Sequence, residues 1–250
     1  MKIGAQLFTV REFTQTVSDF ADTVKKIADI GFDCVQISAI GSNITPQAVV
    51  NICKTYNLEI VITHTNPTRI IEETAAVIEE HKIMGVKYIG IGSLPSIYGQ
   101  SKEGYRKFIS EYSMAAKAIK EAGLQFMYHN HQNEFEKFDG KTALDYMLEE
   151  FPDAGFTLDT YWVQAGGGDP AFWIRVMAGR VDVLHLKDYT IVAGERRMAE
   201  VMEGNMNWQA IFQAAKEAGV KYGLIEQDDC YGKDPFECLR TSLKNIKEWL

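Results

Sequence analysis

The sequence lacks any long apolar run. Hydrophobic residues make up 46% of the 250 residues, yet no stretch approaches the roughly 18 consecutive apolar residues that a membrane-spanning helix needs. The first residues, MKIGAQLFTVREF, reach charged side chains too early for a secretory signal peptide. These absences argue against a membrane protein and predict a location in the cytoplasm.

Cysteine, proline and positive charge are also scarce. Four scattered cysteines form no CxxC pair of the kind that binds zinc or cycles redox, so we expect them to be reduced. Six prolines and no low-complexity linker predict a single domain over residues 1–250. The net charge of −8 would repel a polyanion, which argues against nucleic acid as a partner and favours a neutral, sugar-like small molecule.

A repeated unit runs along the chain, in which an amphipathic helix ends at a glycine and a short strand follows. It recurs in IADIGFDCVQIS, HKIMGVKYIGIG, IKEAGLQFMYHN and AKEAGVKYGLIEQD, with glycine where a helix end requires a left-handed residue. Strands that alternate with helices form parallel βαβ units. The pattern predicts strands near 2–8, 33–38, 59–64, 87–92, 124–130, 156–160, 181–187 and 222–227. It predicts helices near 17–30, 46–56, 68–84, 102–121, 142–150, 170–178, 208–218 and 235–249.

Eight such units in a chain of this length favour an α/β fold of the (β/α)8 TIM-barrel type. An open doubly wound sheet is the alternative. The absence of a GxGxxG motif after the first strand weakens the dinucleotide-binding form of that alternative.

Polar side chains occur near the carboxyl ends of the predicted strands, where barrel strands are otherwise apolar. Because parallel strands share one direction, these side chains should converge at one end of the barrel. They are His64, His129, His131, Asp159, His185, Lys187 and Glu226. Met127 and Val183 continue the same inward-facing rows and are predicted to point into the barrel core.

Three of these residues lie on the last three strands, which are neighbours about 4.8 Å apart. Asp159, His185 and Glu226 are therefore predicted to share one metal ion. A fourth ligand is expected from the fifth strand or the loop after it, where HNHQNEFEKFDG offers Glu134, Glu136 and two histidines, and Glu134 is the choice among them. Three carboxylates and one imidazole favour Mn²⁺, Mg²⁺ or Co²⁺, with Zn²⁺ also possible.

Several segments together resemble a known family, the sugar phosphate isomerase/epimerase proteins of the xylose-isomerase-like barrel superfamily. The segments are MKIGAQLFTVRE, YHNHQNEFEKFDGKT, LDTYWVQAGGGDP, LHLKD, GNMNWQAI and IEQDDCYGKDPFECL. The resemblance implies a barrel in which Glu, Asp, His and Glu ligands hold a divalent metal that chelates neighbouring oxygens of a sugar.

The resemblance transfers to some positions and not to others. Asp159, His185 and Glu226 match directly. Many relatives have a ligating Glu in the fifth strand where this chain has His129, so Glu134, Glu136 and His131 remain candidates there. Trp162 stands where several epimerases have a substrate-binding histidine. The nearer relatives of the HNH type include inosose-dehydratase-like proteins and proteins that act on 3-keto sugars.

The resulting functional hypothesis is a metal-dependent sugar isomerase or epimerase that acts on a small keto sugar or polyol through a metal-stabilised enediolate. Glu226 and Glu134 would exchange protons with the substrate carbon, and Lys187 would polarise an oxygen. His129 or His131 could instead protonate a departing hydroxyl, which would make the protein a dehydratase. The predicted substrate-binding residues are His64, Trp162, Glu136 and Phe8.

Other possibilities remain at this point. A non-catalytic sugar-binding barrel and a homo-oligomer are both open. An abasic-site endonuclease with the same barrel would need more than the 5 histidines present and a basic groove. Loops are expected at 166–168 and 194–205, where they could close over a substrate. His81 is expected on a helix surface, and Asp188 is expected to face the helices or the rim.

Overall fold

The computed structural model describes residues 1–249 and contains a closed barrel of eight parallel strands. The first barrel strand pairs with the last, from Lys2 beside Tyr222 to Ala5 beside Ile225, which closes the cylinder. The predicted (β/α)8 barrel is therefore confirmed, and each of the eight predicted strand regions overlaps a barrel strand. The strands in chain order are β1 Lys2–Gln6, β2 Cys34–Ile37, β3 Glu59–His64, β4 Tyr88–Ile91, β5 Gln125–His129, β6 Lys137–Phe138, β7 Lys141–Thr142, β8 Gly155–Asp159, β9 Val183–Leu186, β10 Asp188–Val192, β11 Glu195–Ala199 and β12 Tyr222–Ile225.

Helices surround the barrel at the positions that the apolar spacing predicts, with two differences. The helix expected over 68–84 is divided at Glu73, and a short additional helix follows β8 directly. Gly85 and Gly219 end two of the helices with φ of +67° and +72°, a conformation that favours glycine. The helices are α1 Val17–Ile30, α2 Pro46–Thr55, α3 Pro67–Glu72, α4 Thr74–Met84, α5 Lys102–Glu121, α6 Ala143–Glu150, α7 Thr160–Ala165, α8 Pro170–Val176, α9 Trp208–Ala218 and α10 Pro235–Trp249. Within residues 1–249, no helix has both the length and the apolar character to cross a membrane.

The apolar core has two parts, because barrel strands bury both of their faces. The larger part lies between the strands and the surrounding helices and includes Leu184 and Leu186. The smaller part fills the inside of the barrel and includes Met127 and Val183, which were predicted to point inward. The polar residues at the carboxyl ends of the strands therefore lie next to an apolar barrel interior.

Asp188 follows β9 and organises the segment between the barrel and α9. It is fully buried, so its carboxylate must find donors within the protein. The residues that donate to it are the backbone N–H groups of Tyr189, Met202, Gly204 and Met206 and the indole of Trp208. Residues 194–205, predicted as a loop, therefore contain regular structure. Their first part includes β11, which pairs with β10 in an antiparallel hairpin.

The prediction that His81 lies on the surface is wrong. Only 2% of His81 is exposed, because it shares the inner face of α4 with Val77 and Ile78. Its Nε2 lies 2.7 Å from the Thr63 hydroxyl, and its Nδ1 lies 2.7 Å from the Val77 carbonyl oxygen. The hydrogen bonds to both ring nitrogens offset the loss of hydration, which allows a polar ring to be buried at this position.

Candidate metal centre

Four buried side chains meet at the carboxyl ends of the barrel strands. His129 and Asp159 end β5 and β8, His185 lies within β9, and Glu226 directly follows β12. In the strand register Asp159 pairs with His185, and His185 also pairs with Leu224, two residues before Glu226. One donor atom from each of the four residues lies within 4.8 Å of the others.

The shortest distances within this group of four, which we call the metal cluster, join imidazole nitrogens to carboxylate oxygens. His185 Nδ1 lies 3.0 Å from Glu226 Oε2 and 3.8 Å from Asp159 Oδ2. His129 Nε2 lies 3.4 Å from the same Asp159 oxygen. Two imidazoles and two carboxylates therefore face one small volume.

Neighbouring groups orient both imidazoles. His129 Nδ1 lies 2.8 Å from the Gly92 carbonyl oxygen, and His185 Nε2 lies 2.8 Å from Gln36 Oε1. Because these oxygens can only accept, the nitrogens that face them carry the protons. The other nitrogen of each ring is turned toward the metal cluster, as in histidines that bind metal.

The donor atoms fit a divalent cation. His185 Nδ1 is buried and makes no hydrogen bond within the described chain, and Glu226 Oε2 is buried with the Lys187 ammonium 2.9 Å away as its charged neighbour. Two acceptors 3.0 Å apart repel each other unless a positive charge compensates for them. A set of two imidazoles and two carboxylates suits Mn²⁺, Co²⁺ or Zn²⁺, which accept both nitrogen and oxygen ligands.

A lysine ammonium group also compensates the carboxylates. Lys187 is 1% exposed, and its Nζ lies 3.0 Å from Asp159 Oδ2, 2.9 Å from Glu226 Oε2 and 3.1 Å from Asp228 Oδ1. Burial alone would lower the pKa of Lys187, but Asp159, Glu226 and Asp228 raise it above its usual value. The lysine therefore remains positively charged among these acids.

The same charges act on the carboxylates. Burial raises the pKa of Glu226, but Lys187 and His185 outweigh burial and hold that pKa well below its usual range. Burial also raises the pKa of Asp159, and Lys187 followed by His129 brings it below the usual value. Both acids are thus ionised, which is the state that binds a metal.

A cavity of about 340 Å³ opens beside the metal cluster at the mouth of the barrel. Its volume lies at the lower end of the roughly 300–1,000 Å³ typical of small-molecule sites. Most of its lining residues are of polar or charged type, although apolar atoms provide much of the exposed wall. The lining residues are Gln6, Phe8, Ser38, Ala39, His64, Gly92, Ser93, His129, His131, Lys187, Glu226 and Asp228.

The family model described as xylose isomerase-like TIM barrel matches residues 24–244. The chain belongs to this family. This confirms the family resemblance inferred from the sequence. No curated protein matches the chain in sequence.

Solved structures of similar fold extend the comparison. This xylose isomerase-like barrel superposes on a sugar phosphate isomerase/epimerase from Parabacteroides distasonis ATCC 8503 with a TM-score of 0.83 and 23% identity, covering 98% of this chain and 93% of that chain. It superposes on an L-ribulose 3-epimerase with a TM-score of 0.77 and 15% identity, covering 99% and 94%. It superposes on the probable 3-DHS dehydratase AsbF from Bacillus anthracis with a TM-score of 0.74 and 15% identity, covering 99% of both chains. Identities this low show a shared fold.

Glu134, the predicted fourth ligand, lies outside the metal cluster of the xylose isomerase-like barrel, and His129 is the member from β5. Glu134 is buried, but its two oxygens accept hydrogen bonds from the Tyr128 hydroxyl at 2.7 Å and the His131 backbone N–H at 2.6 Å. Glu134 lies in a 3-10 turn over Asn133–Phe135, and its partner Tyr128 belongs to the core between the strands and the helices. Glu134 therefore holds the backbone of His131.

The other residues predicted to bind substrate fall into two groups. Phe8 and His64 line the cavity, and His64 Nδ1 lies 3.2 Å from the Ser38 hydroxyl. Trp162 is absent from the cavity lining within residues 1–249, and its ring centre lies 5.1 Å from that of His131. Glu136 is exposed and is absent from the cavity lining within residues 1–249.

Sequence reasoning missed two glutamines that contact the metal cluster. Gln6 donates to Glu226 Oε1 at 3.0 Å, and Gln36 accepts from His185. Both are fully buried and lie in the otherwise apolar strands β1 and β2. An amide within an apolar barrel strand is the signal that could have identified them.

Proposed function

We propose that the protein is a divalent-metal-dependent isomerase or epimerase that acts on a small keto sugar or polyol. The observation that carries this proposal is the metal cluster, four buried donor atoms within 4.8 Å of one another beside an open polar cavity. Family membership and the similarity to isomerase/epimerase structures support it. The proposed partner is a neutral sugar in the cytoplasm.

In this proposal His129, Asp159, His185 and Glu226 hold the metal. Mn²⁺ or Co²⁺ suits their mixed nitrogen and oxygen donors better than Mg²⁺, and Zn²⁺ is the next choice. When bound, the metal supplies Lewis-acid chemistry that increases the acidity of a C–H bond beside a sugar carbonyl.

The residues of the chain bind the sugar and move its proton. Glu226 is ionised and lines the cavity, so we assign it as the base that removes a proton from the substrate carbon. Lys187 also lines the cavity and carries a positive charge that can donate to a substrate oxygen as negative charge develops there. The Phe8 ring provides an apolar wall for the C–H face of a sugar.

A dehydratase is the second candidate, and the asymmetry of the cavity favours it. Both acids in the described lining, Glu226 and Asp228, lie after β12, whereas the opposite wall carries the histidines His64, His129 and His131. Epimerisation by two carboxylates on opposite faces of the carbon would lack its second carboxylate here. A histidine could instead pass a proton to a departing hydroxyl.

Solvent exchange tests the proposal and separates the candidates. The Mn²⁺-loaded protein is incubated in D₂O with D-fructose, D-psicose, L-ribulose or an inosose, and ¹H NMR follows the C–H bonds beside each carbonyl. An isomerase or epimerase exchanges deuterium and forms a second sugar, whereas a dehydratase forms an unsaturated product. Glu226→Gln should abolish exchange, and Glu136→Gln, at an exposed site, should retain it. Metal binding without exchange in any sugar would contradict an enzymatic function on these substrates and favour a sugar-binding barrel.

A further inference from the structure

The cavity of about 340 Å³ beside the metal cluster is called the catalytic cavity from here on. A second cavity, of about 520 Å³, lies next to it. We propose that it is a subsite for a second hydroxylated ring, so that the substrate is a keto sugar carrying a glycosyl substituent. This inference rests on the proposed function and adds a substrate class to it. The residues that line the second cavity are Ser93, Leu94, Pro95, Ser96, Gly99, Gln100, Tyr105, His131, Asn133 and Glu134.

The two cavities share wall residues. Ser93 and His131 line both of them. Ser93 follows Gly92, whose carbonyl oxygen orients His129, and the backbone of His131 is held by Glu134. A ligand whose reacting carbon lies at the metal cluster would therefore extend past Ser93 and His131 into the second cavity.

The walls of the second cavity suit a neutral sugar ring. Ser93, Ser96, Gln100 and Asn133 offer hydroxyl and amide groups, which hydrogen-bond to sugar hydroxyls as donors and acceptors. Leu94 and Pro95 add apolar surface for a C–H face. This combination matches the alternation of hydroxyl and C–H groups around a pyranose.

The charge of the cavity argues against a phosphate. None of the described lining residues is a lysine or an arginine, the side chains that usually bind phosphate. The one acid, Glu134, already accepts hydrogen bonds at both of its oxygens. A doubly charged group would find no opposite charge here, whereas a neutral polyol requires none.

The catalytic cavity alone is small for a substrate of two rings. Its volume of about 340 Å³ is near the minimum for a small-molecule site, so it suits a single sugar. A substituent on that sugar must occupy space elsewhere, and the cavity beyond Ser93 and His131 provides it.

Binding of D-fructose and its glucosyl derivatives tests this inference. The probes are D-fructose and the glucosyl-fructoses trehalulose, turanose, maltulose and isomaltulose, which attach the second ring at different positions. Isothermal titration calorimetry with the Mn²⁺-loaded protein gives the Kd for each. We expect at least one glucosyl-fructose to bind about tenfold more tightly than D-fructose, because the added hydroxyls find partners in the second cavity.

A pair of neighbouring substitutions provides the control. Ser96→Trp places a large ring in the second cavity, whereas Ile97 is 77% exposed in the same turn and does not line it. Ser96→Trp should remove the advantage of the glucosyl-fructose and leave D-fructose binding unchanged. Ile97→Trp should change neither.

The outcomes separate this inference from the proposed function. If D-fructose binds and exchanges deuterium but no glucosyl-fructose binds more tightly, the subsite is wrong and the proposed function stands. Tighter binding of D-fructose 6-phosphate than of D-fructose, lost in Ser96→Trp, would overturn the neutral-ring assignment. If no sugar binds or exchanges, both proposals fail.

Discussion

Gln36 accepts a hydrogen bond from His185 across 2.8 Å between Oε1 and Nε2. This contact places the proton of the imidazole on Nε2 and turns the lone pair of Nδ1 toward Glu226, 3.0 Å away. The metal cluster thus depends on an amide from β2, a strand that contributes no ligand of its own.

Removal of the Gln36 acceptor should weaken metal binding. Gln36→Met has a similar shape but cannot accept the His185 proton, so Mn²⁺ affinity should fall by roughly 10–100-fold. Gln36→Glu keeps an acceptor oxygen and should retain affinity. Calorimetric titration of the metal-free proteins with Mn²⁺ measures both. Equal affinity in Gln36→Met and the wild type would show that Gln36 does not orient a ligand.

Lys187 should contribute most to the stability of the folded protein when no metal is bound. Lys187→Met leaves Asp159, Glu226 and Asp228 without their shared positive charge, and loss of one partner of a buried ion pair costs about 3–5 kcal/mol. We expect a lower melting temperature in EDTA and a larger recovery with Mn²⁺ than in the wild type, because the metal replaces the missing charge.

Thermal unfolding of both proteins, with and without Mn²⁺, measures this interaction. Lys141→Met, which removes an exposed lysine that pairs with Glu149, is the matched control and should unfold like the wild type. If Mn²⁺ stabilises Lys187→Met and the wild type equally, the lysine and the metal do not neutralise the same carboxylates.

Asp188 should be essential for the segment between β9 and α9. Asp188→Ala leaves four backbone N–H groups and the Trp208 indole without their acceptor, so we expect destabilisation by more than about 3 kcal/mol. Asp29→Ala removes an exposed carboxylate paired with Lys25 on α1 and should have little effect. Urea unfolding measures both. Similar midpoints for the two variants would contradict this role of Asp188.

His81 should make stability depend on pH. Burial lowers the pKa of His81 below its usual 6.5, and the Val77 hydrogen bond opposes this only in part. The unfolded chain then binds the proton more tightly, so the free energy of unfolding is greatest above pH 6.5 and falls as pH decreases below that value. The slope from one such group is at most about 1.4 kcal/mol per pH unit.

A substitution isolates this contribution from that of the other histidines. His81→Gln keeps an acceptor for the Thr63 hydroxyl but does not titrate, so its unfolding free energy should fall less steeply than that of the wild type between pH 6.5 and 5. Urea unfolding at several pH values gives both slopes. Identical slopes would indicate that His81 does not contribute.

Much of the site could be predicted because Asp159, His185 and Glu226 end strands that are neighbours in any eight-stranded parallel barrel. Strand periodicity determines which residues point inward, and it was sufficient for these three. It also placed Met127 and Val183 correctly inside the barrel.

The β5 side of the site was harder to predict. Residues 129–136, at the end of β5 and after it, include two histidines and two glutamates, and the direction in which Glu134 points decides whether it reaches the metal cluster. That direction depends on the Tyr128 hydroxyl, a tertiary contact that no local pattern encodes. His81 was missed for a similar reason, since its burial depends on the Thr63 hydroxyl across the helix–strand interface.

The most direct test of the metal cluster is a crystal of the protein grown with Mn²⁺ and measured for anomalous scattering at the manganese edge. We expect one peak about 2.0–2.3 Å from His129 Nε2, Asp159 Oδ2, His185 Nδ1 and Glu226 Oε2, distances typical of metal–ligand bonds in proteins. No peak among these four atoms, with the Lys187 ammonium as the sole cation there, would contradict the account.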